Sequence, residues 1–212
     1  MAMDNLTGLL QNNRLHFIGE DTAFRSAVMV PLVKVENEWH VLFEIRSLKL
    51  KKQPGDISFP GGRIDPGDAS PMAAALRETA EELQITADKI RVLGELSPYI
   101  ANPSFAIYPF VGIVEYDTAT PTFSEDEVSD VFTVPLRWLL ESKPYMHVVS
   151  AEPVPEKDFP YDKIMNGADY KWRKRISEEW FFDYGERTIW GITARILKHF
   201  LDILRTGDEL PI

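Results

Sequence analysis

Arg77, Glu78, Glu81 and Glu82 are the residues whose types and spacing most clearly offer chemistry. At about 100° per residue, with Glu78 set at zero, Glu82 falls near about 40° and Glu81 near about 300°, so the three carboxylates share one helical stripe roughly 100° wide. Like charges at this spacing disfavour an isolated helix by roughly a few tenths of a kcal/mol per pair. A hard cation such as Mg²⁺ removes that penalty, because it takes carboxylate oxygens together with waters and substrate phosphates. Arg77 can fix one carboxylate by a bidentate pair. Alone, the pattern equally describes the solvated face of an amphipathic helix, so the neighbouring residues must decide.

The helix itself is well marked. Ser70 is a good N-cap, Pro71 suits the first helical position, and the run to Leu83 is dense in Ala, Leu, Arg and Glu. Met72, Leu76, Ala80 and Leu83 are expected to face a sheet, with the small Ala74 and Ala75 flanking the acidic stripe. Upstream, residues 49–68 read as a loop rich in Lys, Pro and Gly, punctuated by Pro54-Gly55, Pro60-Gly61-Gly62 and Pro66-Gly67. Residues 27–35 and 39–47 read as two strands joined by a polar turn. Further strands are expected at 90–96, 107–115 and 131–134, the last followed by a short helix to about Ser142. Residues 145–160 read as irregular, 180–183 as a short strand, 188–204 as a closing amphipathic helix, and 6–16 as a short lead-in helix. Mixed strands and helices of this kind predict an α/β (α+β) layer protein with a mixed β-sheet. The expected organisation is a single domain over 1–212, with a core at about 25–142 and residues 143–212 packed on it as an extension.

The loop and helix together resemble the box of the Nudix hydrolases, G-x5-E-x7-R-E-U-x-E-E-x-G-U. Gly62 opens it, Asp68 stands at the first Glu, Arg77-Glu78-Thr79-Ala80-Glu81-Glu82 supplies the centre, and Ile85 closes it. Four positions depart: Asp68 for Glu, one extra residue before Arg77, Thr79 at an aliphatic position, and Gln84 for the final Gly. The preceding segment, Leu42-Phe43-Glu44-Ile45-Arg46-Ser47 through Lys51, Gly55 and Phe59-Pro60-Gly61-Gly62, resembles the motif of the coenzyme A subgroup, L-L-T-x-[ST]-x3-R-x3-G-x3-F-P-G-G. Ser47, Lys51 and Gly55 fall at its Ser/Thr, Arg and Gly positions, while its opening L-L-T matches poorly. That subgroup tolerates the longer box and the missing final Gly. Resemblance continues at Ser124-Glu125-Asp126-Glu127 and at Trp190-Gly191-Ile192-Thr193-Ala194.

The resemblance implies a Nudix-type α/β/α sandwich and hydrolysis of the diphosphate of coenzyme A, or a derivative, to 3′,5′-ADP and 4′-phosphopantetheine. It implies Mg²⁺ or Mn²⁺ held mainly by Glu78 and Glu82, with Glu81 completing the cluster and Arg77 orienting it. The general base of Nudix enzymes is either a box Glu or a later carboxylate, which makes Glu81, Glu127 and then Glu125 the candidates. Arg46, Ser47, Lys51, Lys52, Gly55, Gly61, Gly62 and Arg63 are the expected substrate contacts; the basic members form a cationic segment suited to phosphates. Two other readings stay open: a Nudix hydrolase of ADP-ribose or a dinucleotide, and a Nudix module that binds a nucleotide without cleaving it. The three intact box carboxylates favour an enzyme.

Bulk properties narrow the field. A net charge of −10 opposes nonspecific binding to nucleic acid or anionic membranes. With no cysteine, thiolate chemistry, zinc–thiolate sites and disulfides are excluded, which fits a reducing compartment. No secretory signal or membrane span is evident in the sequence, so a cytoplasmic protein is expected, acting on a small molecule; a homodimer is one open expectation for its assembly. His16, His40, His147 and His199 show no metal-ligand spacing, and Trp172, Trp180 and Trp190 are assigned to packing.

Overall fold

A two-residue hairpin turn organises the first half of the chain. In the computed structural model, which describes residues 17–102 and 104–207, Phe24–Val35 (β1) and Glu38–Arg46 (β2) pair antiparallel with Val35 opposite Glu38. The intervening Glu36 and Asn37 have φ of 47° and 71°, the left-handed pair that lets a tight turn follow the twist of its strands. Side chains alternate along both strands. Val30, Leu32, Val41 and Phe43 enter one core, whereas Ala27, Met29, Val33 and Leu42 enter the other, as a sheet covered on both faces requires.

β1 and β2 separate toward the other end, and the chain from Ile57–Ser58 (β3) to Gly61–Arg63 (β4) lies in the split. β3 pairs with β2, and β4 pairs with β1. This segment was expected to be loop throughout; each strand is too short to carry a pattern. Beyond the box come Ile90–Glu95 (β5), Tyr99–Asn102 (β6) and Phe105–Val114 (β7). β7 runs parallel to β1, while β5 and β6 pair antiparallel with β7. Val128–Pro135 (β8) closes the far edge of β2. The sheet is therefore mixed, as the sequence predicts.

Pro71–Glu82 (α1) covers one face of the sheet; Leu136–Glu141 (α2) and Gly191–Arg205 (α3) cover the other. Ser70 caps α1 by accepting the Ala73 N–H at 3.1 Å, as expected. The face α1 buries is wider than the expected one: Leu83 is buried and Leu76 and Ala80 pack against the same core, as expected. Ala74, Ala75, Thr79 and Glu82 are buried with them, and of the four expected residues Met72 alone is exposed. The two alanines belong to the contact with the sheet rather than to its flank. Their small size lets the helix approach closely, which carries Glu82 inside.

Three further expectations need correction. Residues 145–151 are not irregular: Tyr145–Ala151 (β9) pairs with Arg175–Tyr184 (β10), which pairs with Arg187–Trp190 (β11) in a separate antiparallel sheet. β9 is exposed along its whole length, so no alternation marks it. β10 is correspondingly longer than the short strand expected at 180–183. The closing helix starts at Gly191, because residues 188–190 belong to β11 and Gly191 turns the chain at φ +64°. The expected helix at 6–16 lies outside the described residues. Among the described residues no helix is long and apolar enough to cross a membrane.

α1 ends in a pattern that explains one departure from the box. The Ile85 N–H reaches back to the Ala80 carbonyl at 3.0 Å, and Gln84 between them has φ 51°. This is the left-handed position after a helix that glycine occupies without penalty. Gln84→Gly should raise stability by roughly 0.5–1 kcal/mol, the left-handed strain relieved less the entropy glycine adds to the unfolded chain. In thermal unfolding this amounts to about 1–4 °C; a lower Tm would contradict the assignment.

Candidate functional site

Two glycines are pressed between the sheet and the acidic helix. The Gly61 N–H donates to Glu82 Oε2 at 2.7 Å. Gly61 has φ +148°, and a Cβ there would lie 2.3 Å from the Ala27 carbonyl oxygen and 2.6 Å from Val28 Cα. A Cβ on Gly62 would lie 2.4–2.7 Å from the carboxylate atoms of Glu78. Neither position has room for a side chain, so the backbone itself meets Glu78 and Glu82.

Arg77 organises the remaining acids. Its Nε and Nη2 donate to the two oxygens of Asp68 at 3.0 and 2.9 Å, its Nη1 donates to Glu78 Oε1 at 2.8 Å and Glu81 Oε2 at 3.3 Å, and its Nη2 also reaches the Arg63 carbonyl at 3.2 Å. Asp68 is held in turn by the Asp65 N–H at 2.8 Å, and the Arg77 guanidinium keeps its carboxyl below the usual range. Aspartate thus makes the bidentate pair at the position where the box has glutamate. Glu81 is exposed.

A carboxylate outside the box joins this group. Glu44 stands on β2 with no exposed surface. Ser58 Oγ donates to its Oε1 at 2.9 Å, whereas its Oε2 has no hydrogen-bond partner. Burial pushes the Glu44 carboxyl up to about 7, against the opposing effects of Ser58 and Arg46. Burial and then the charge of Glu44 push Glu82 well above the ordinary value. Burial raises Glu78 as well, with Glu81 and Glu127 adding to it against Arg77. Sequence reasoning missed Glu44. The signal available was a lone acid inside the apolar run Val41-Leu42-Phe43-Glu44-Ile45, two residues from Leu42 and so on the α1 face.

The loop after β7 brings Glu127 to the same place. The Ser47 N–H donates to the Glu127 carbonyl at 2.8 Å, and Ser47 Oγ to the Glu125 carbonyl at 3.3 Å. Ser47 is buried and fastens this loop. The Glu127 carboxylate acts on Glu44, Glu78 and Glu82; Glu125 is exposed and does not figure among the charges acting on these three. Among the described residues no three acidic or histidine side chains form a ready-made cation cage, and Arg77 engages the oxygens of Glu78 and Glu81.

A cavity of about 890 Å³ opens beside this cluster. Gly61 and Gly62 line it together with Arg46, Lys52 and Arg63, and Phe24, Phe105 and Trp190 form part of its apolar wall. Of the expected substrate contacts, Lys51 is exposed and Gly55 (φ +78°) forms a turn whose N–H donates to the Arg46 carbonyl at 3.0 Å; neither lines the cavity. Trp190, assigned above to packing, stacks on Phe181 at 6.1 Å between centroids yet remains 47% exposed at the cavity. A smaller cavity of about 350 Å³ near Trp138 and Tyr145 contains none of the expected site residues.

Comparison with known proteins places these features in context. The family model described as the NUDIX domain matches residues 23–156. An uncharacterized Nudix hydrolase, NudL, of Enterobacter sp. (strain 638) is 34% identical over 174 residues, covering 82% of this chain and 79% of its own. The peroxisomal coenzyme A diphosphatase NUDT7 of Mus musculus is 38% identical over 120 residues, covering 56% of this chain; the match spans half (50%) of the mouse protein. The crystal structure of a MutT/nudix family protein from Enterococcus faecalis aligns with 100% of this chain and 72% of that one, with a TM-score of 0.51 at 15% identity, a likeness of fold alone.

The raised carboxyls have a consequence for stability. A carboxyl whose folded pKa lies above its unfolded value of 4.5 contributes stability that is present below that value and is lost as pH rises through the folded pKa. With divalent cations chelated, the Tm should therefore fall between about pH 5 and about pH 8, and Glu44→Gln should flatten the decline. A wild-type Tm that is level or rising over this range would contradict the burial of these acids.

Proposed function

The chain belongs to the NUDIX family of hydrolases, and from that premise we propose that it cleaves the diphosphate bond of coenzyme A or one of its derivatives. The products are 3′,5′-ADP and 4′-phosphopantetheine. The observation that carries this reading is the junction of the Gly61-Gly62 backbone with Glu78 and Glu82, the two glycines also lining a cavity that bears Arg46, Lys52 and Arg63. The likeness to the mouse coenzyme A diphosphatase and the motif around Ser47 and Gly55 support the substrate.

The donor set suits a hard divalent cation. Glu78 and Glu82 repel each other and Glu127, and Glu44 keeps an oxygen without a partner; oxygen-only donors with surplus negative charge favour Mg²⁺ or Mn²⁺. Glu78 and Glu82 hold the ion in this reading, with Glu81 free to join by releasing Arg77. When bound, the cation supplies charge neutralisation at the diphosphate and makes an attacking water more acidic.

The chain's own groups do the rest. Arg46, Lys52 and Arg63 take the phosphates, Arg46 and Arg63 as planar forks and Lys52 as a point charge. Arg77 fixes the rotamers of Glu78 and Glu81. Glu127, on an exposed loop beside the cluster, accepts the proton of the attacking water. A water oxygen–phosphorus bond forms as the bridging phosphorus–oxygen bond breaks, and the leaving phosphate takes the electron pair. The apolar wall at Phe24, Phe105 and Trp190 receives the less polar part of the substrate.

Mass spectrometry of products from a panel of diphosphates, with Mg²⁺ or Mn²⁺, tests the reading. Coenzyme A or an acyl derivative should give 3′,5′-ADP, and chelation should stop the reaction. Turnover of ADP-ribose with coenzyme A untouched would overturn the substrate, and no turnover of any diphosphate would overturn the enzyme. Glu82→Gln should lower kcat by at least about 100-fold while the circular dichroism spectrum stays native; retained activity would refute the cation assignment. Lys52→Ala should raise KM for coenzyme A by about tenfold, equivalent to about 1.4 kcal/mol, and Lys51→Ala by much less. Equal effects would remove the cavity from the binding account.

A further inference from the structure

Glu44 is an acid inside the apolar run 41–45 of β2, at a position where the coenzyme A motif, counted back from Ser47, has leucine. Alternation along β2 sets its side chain on the same face as Leu42, which packs in the core with Ala74 and Ala75 of α1. It therefore points under the helix, toward the carboxylates of Glu82, Glu78 and Glu127, whose charges all act on it or are acted on by it. One oxygen is fixed by Ser58 at 2.9 Å; the other is fully buried and bonded to nothing.

A buried carboxylate oxygen is seldom left without a partner, and each exception calls for an explanation. Packing does not supply one, since a threonine or an apolar residue would fill a strand position under a helix without this penalty. Ser58 holds one oxygen and leaves the other unpaired, in a side chain on which the charges of Glu78 and Glu127 act. Glu82 is in the complementary situation: its Oε2 is taken by the Gly61 N–H, and it shares the same desolvated space. Two carboxylates in that arrangement need either a proton or a cation between them.

We propose that Glu44 is an additional divalent-cation ligand of this chain, its free Oε2 joining the α1 carboxylates on a cation and giving this protein one more acidic ligand than the box provides. The inference rests on the cation reading given above. It makes the ion bind more tightly than the box acids alone would allow, and it makes β2, not only α1, part of the site.

Mn²⁺ binding measured by isothermal titration calorimetry tests this without any turnover, using wild type, Glu44→Gln, Glu44→Thr and Glu82→Gln. Both Glu44 substitutions should weaken Mn²⁺ at least about tenfold, or abolish one bound ion, with metal-free Tm equal to or above that of wild type at neutral pH. Wild-type Mn²⁺ affinity and stoichiometry in both Glu44 variants would overturn the inference; loss of binding in Glu82→Gln alone would then leave the box reading standing. A wild-type protein that takes no Mn²⁺ would overturn both. Should the substitutions prevent folding, ¹³C-carboxyl resonances of the unaltered protein decide. The Glu44 resonance should move with Mg²⁺ at the same midpoint as that of Glu82, and a Glu44 resonance indifferent to Mg²⁺ would overturn the inference.

Discussion

The hydrogen bond from the Gly61 N–H to the buried carboxylate of Glu82 ties three parts of the molecule together. It joins β4, which lies in the split between β1 and β2 and pairs with β1, to the helix that covers that split. It can form only because Gly61 carries no Cβ against Ala27 and Val28, and because Ala74 and Ala75 let α1 come down close to the sheet. Gly62 then meets Glu78 on the same terms. The acidic stripe of α1 is thereby turned partly inward, and the carboxylates that a surface helix would offer to water are held against backbone instead.

That placement has an electrostatic cost and a use. Burial and mutual repulsion raise Glu44, Glu78 and Glu82, so the cluster favours whatever positive charge reaches it. Arg77 meets part of the demand and is itself fixed by Asp68, which leaves Glu78 and Glu81 oriented rather than neutralised. Arg46 offsets part of the charge of Glu44 and, with Lys52 and Arg63, lines the cavity, in a chain of net charge −10. The cavity thus joins bases to an apolar wall, and Gly61 and Gly62 connect it to the acids of α1.

Much of this was legible in the residues. The Glu36-Asn37 turn, the Ser70-Pro71 start of α1 and the box itself depend on local chemistry, and local chemistry is written in consecutive positions. The helix face was read only in part, with Leu76, Ala80 and Leu83 on the sheet as expected. Periodicity ranks residues by hydrophobicity, whereas the closest contact is made by Ala74 and Ala75 and admits a buried glutamate. β9 was missed because a strand exposed on both sides has no alternation. Glu44 and Trp190 escaped for a related reason. Each matters through its distance from elements far away in sequence, Glu44 from α1 and Trp190 from Phe105. Asp68 and Gln84, two of the four box departures, have plain physical accounts: a bidentate pair that a shorter acid still makes, and a left-handed residue at a helix end.

The account stands or falls on whether α1 and the glycine pair bound a cation site. The anomalous difference map of crystals soaked in Mn²⁺ tests this most directly. The account predicts a peak within ligand distance of both Glu78 and Glu82, beside the Gly61-Gly62 backbone. A map in which Mn²⁺ is bound only elsewhere, with Arg77 still engaging Glu78 and Glu81, would contradict it.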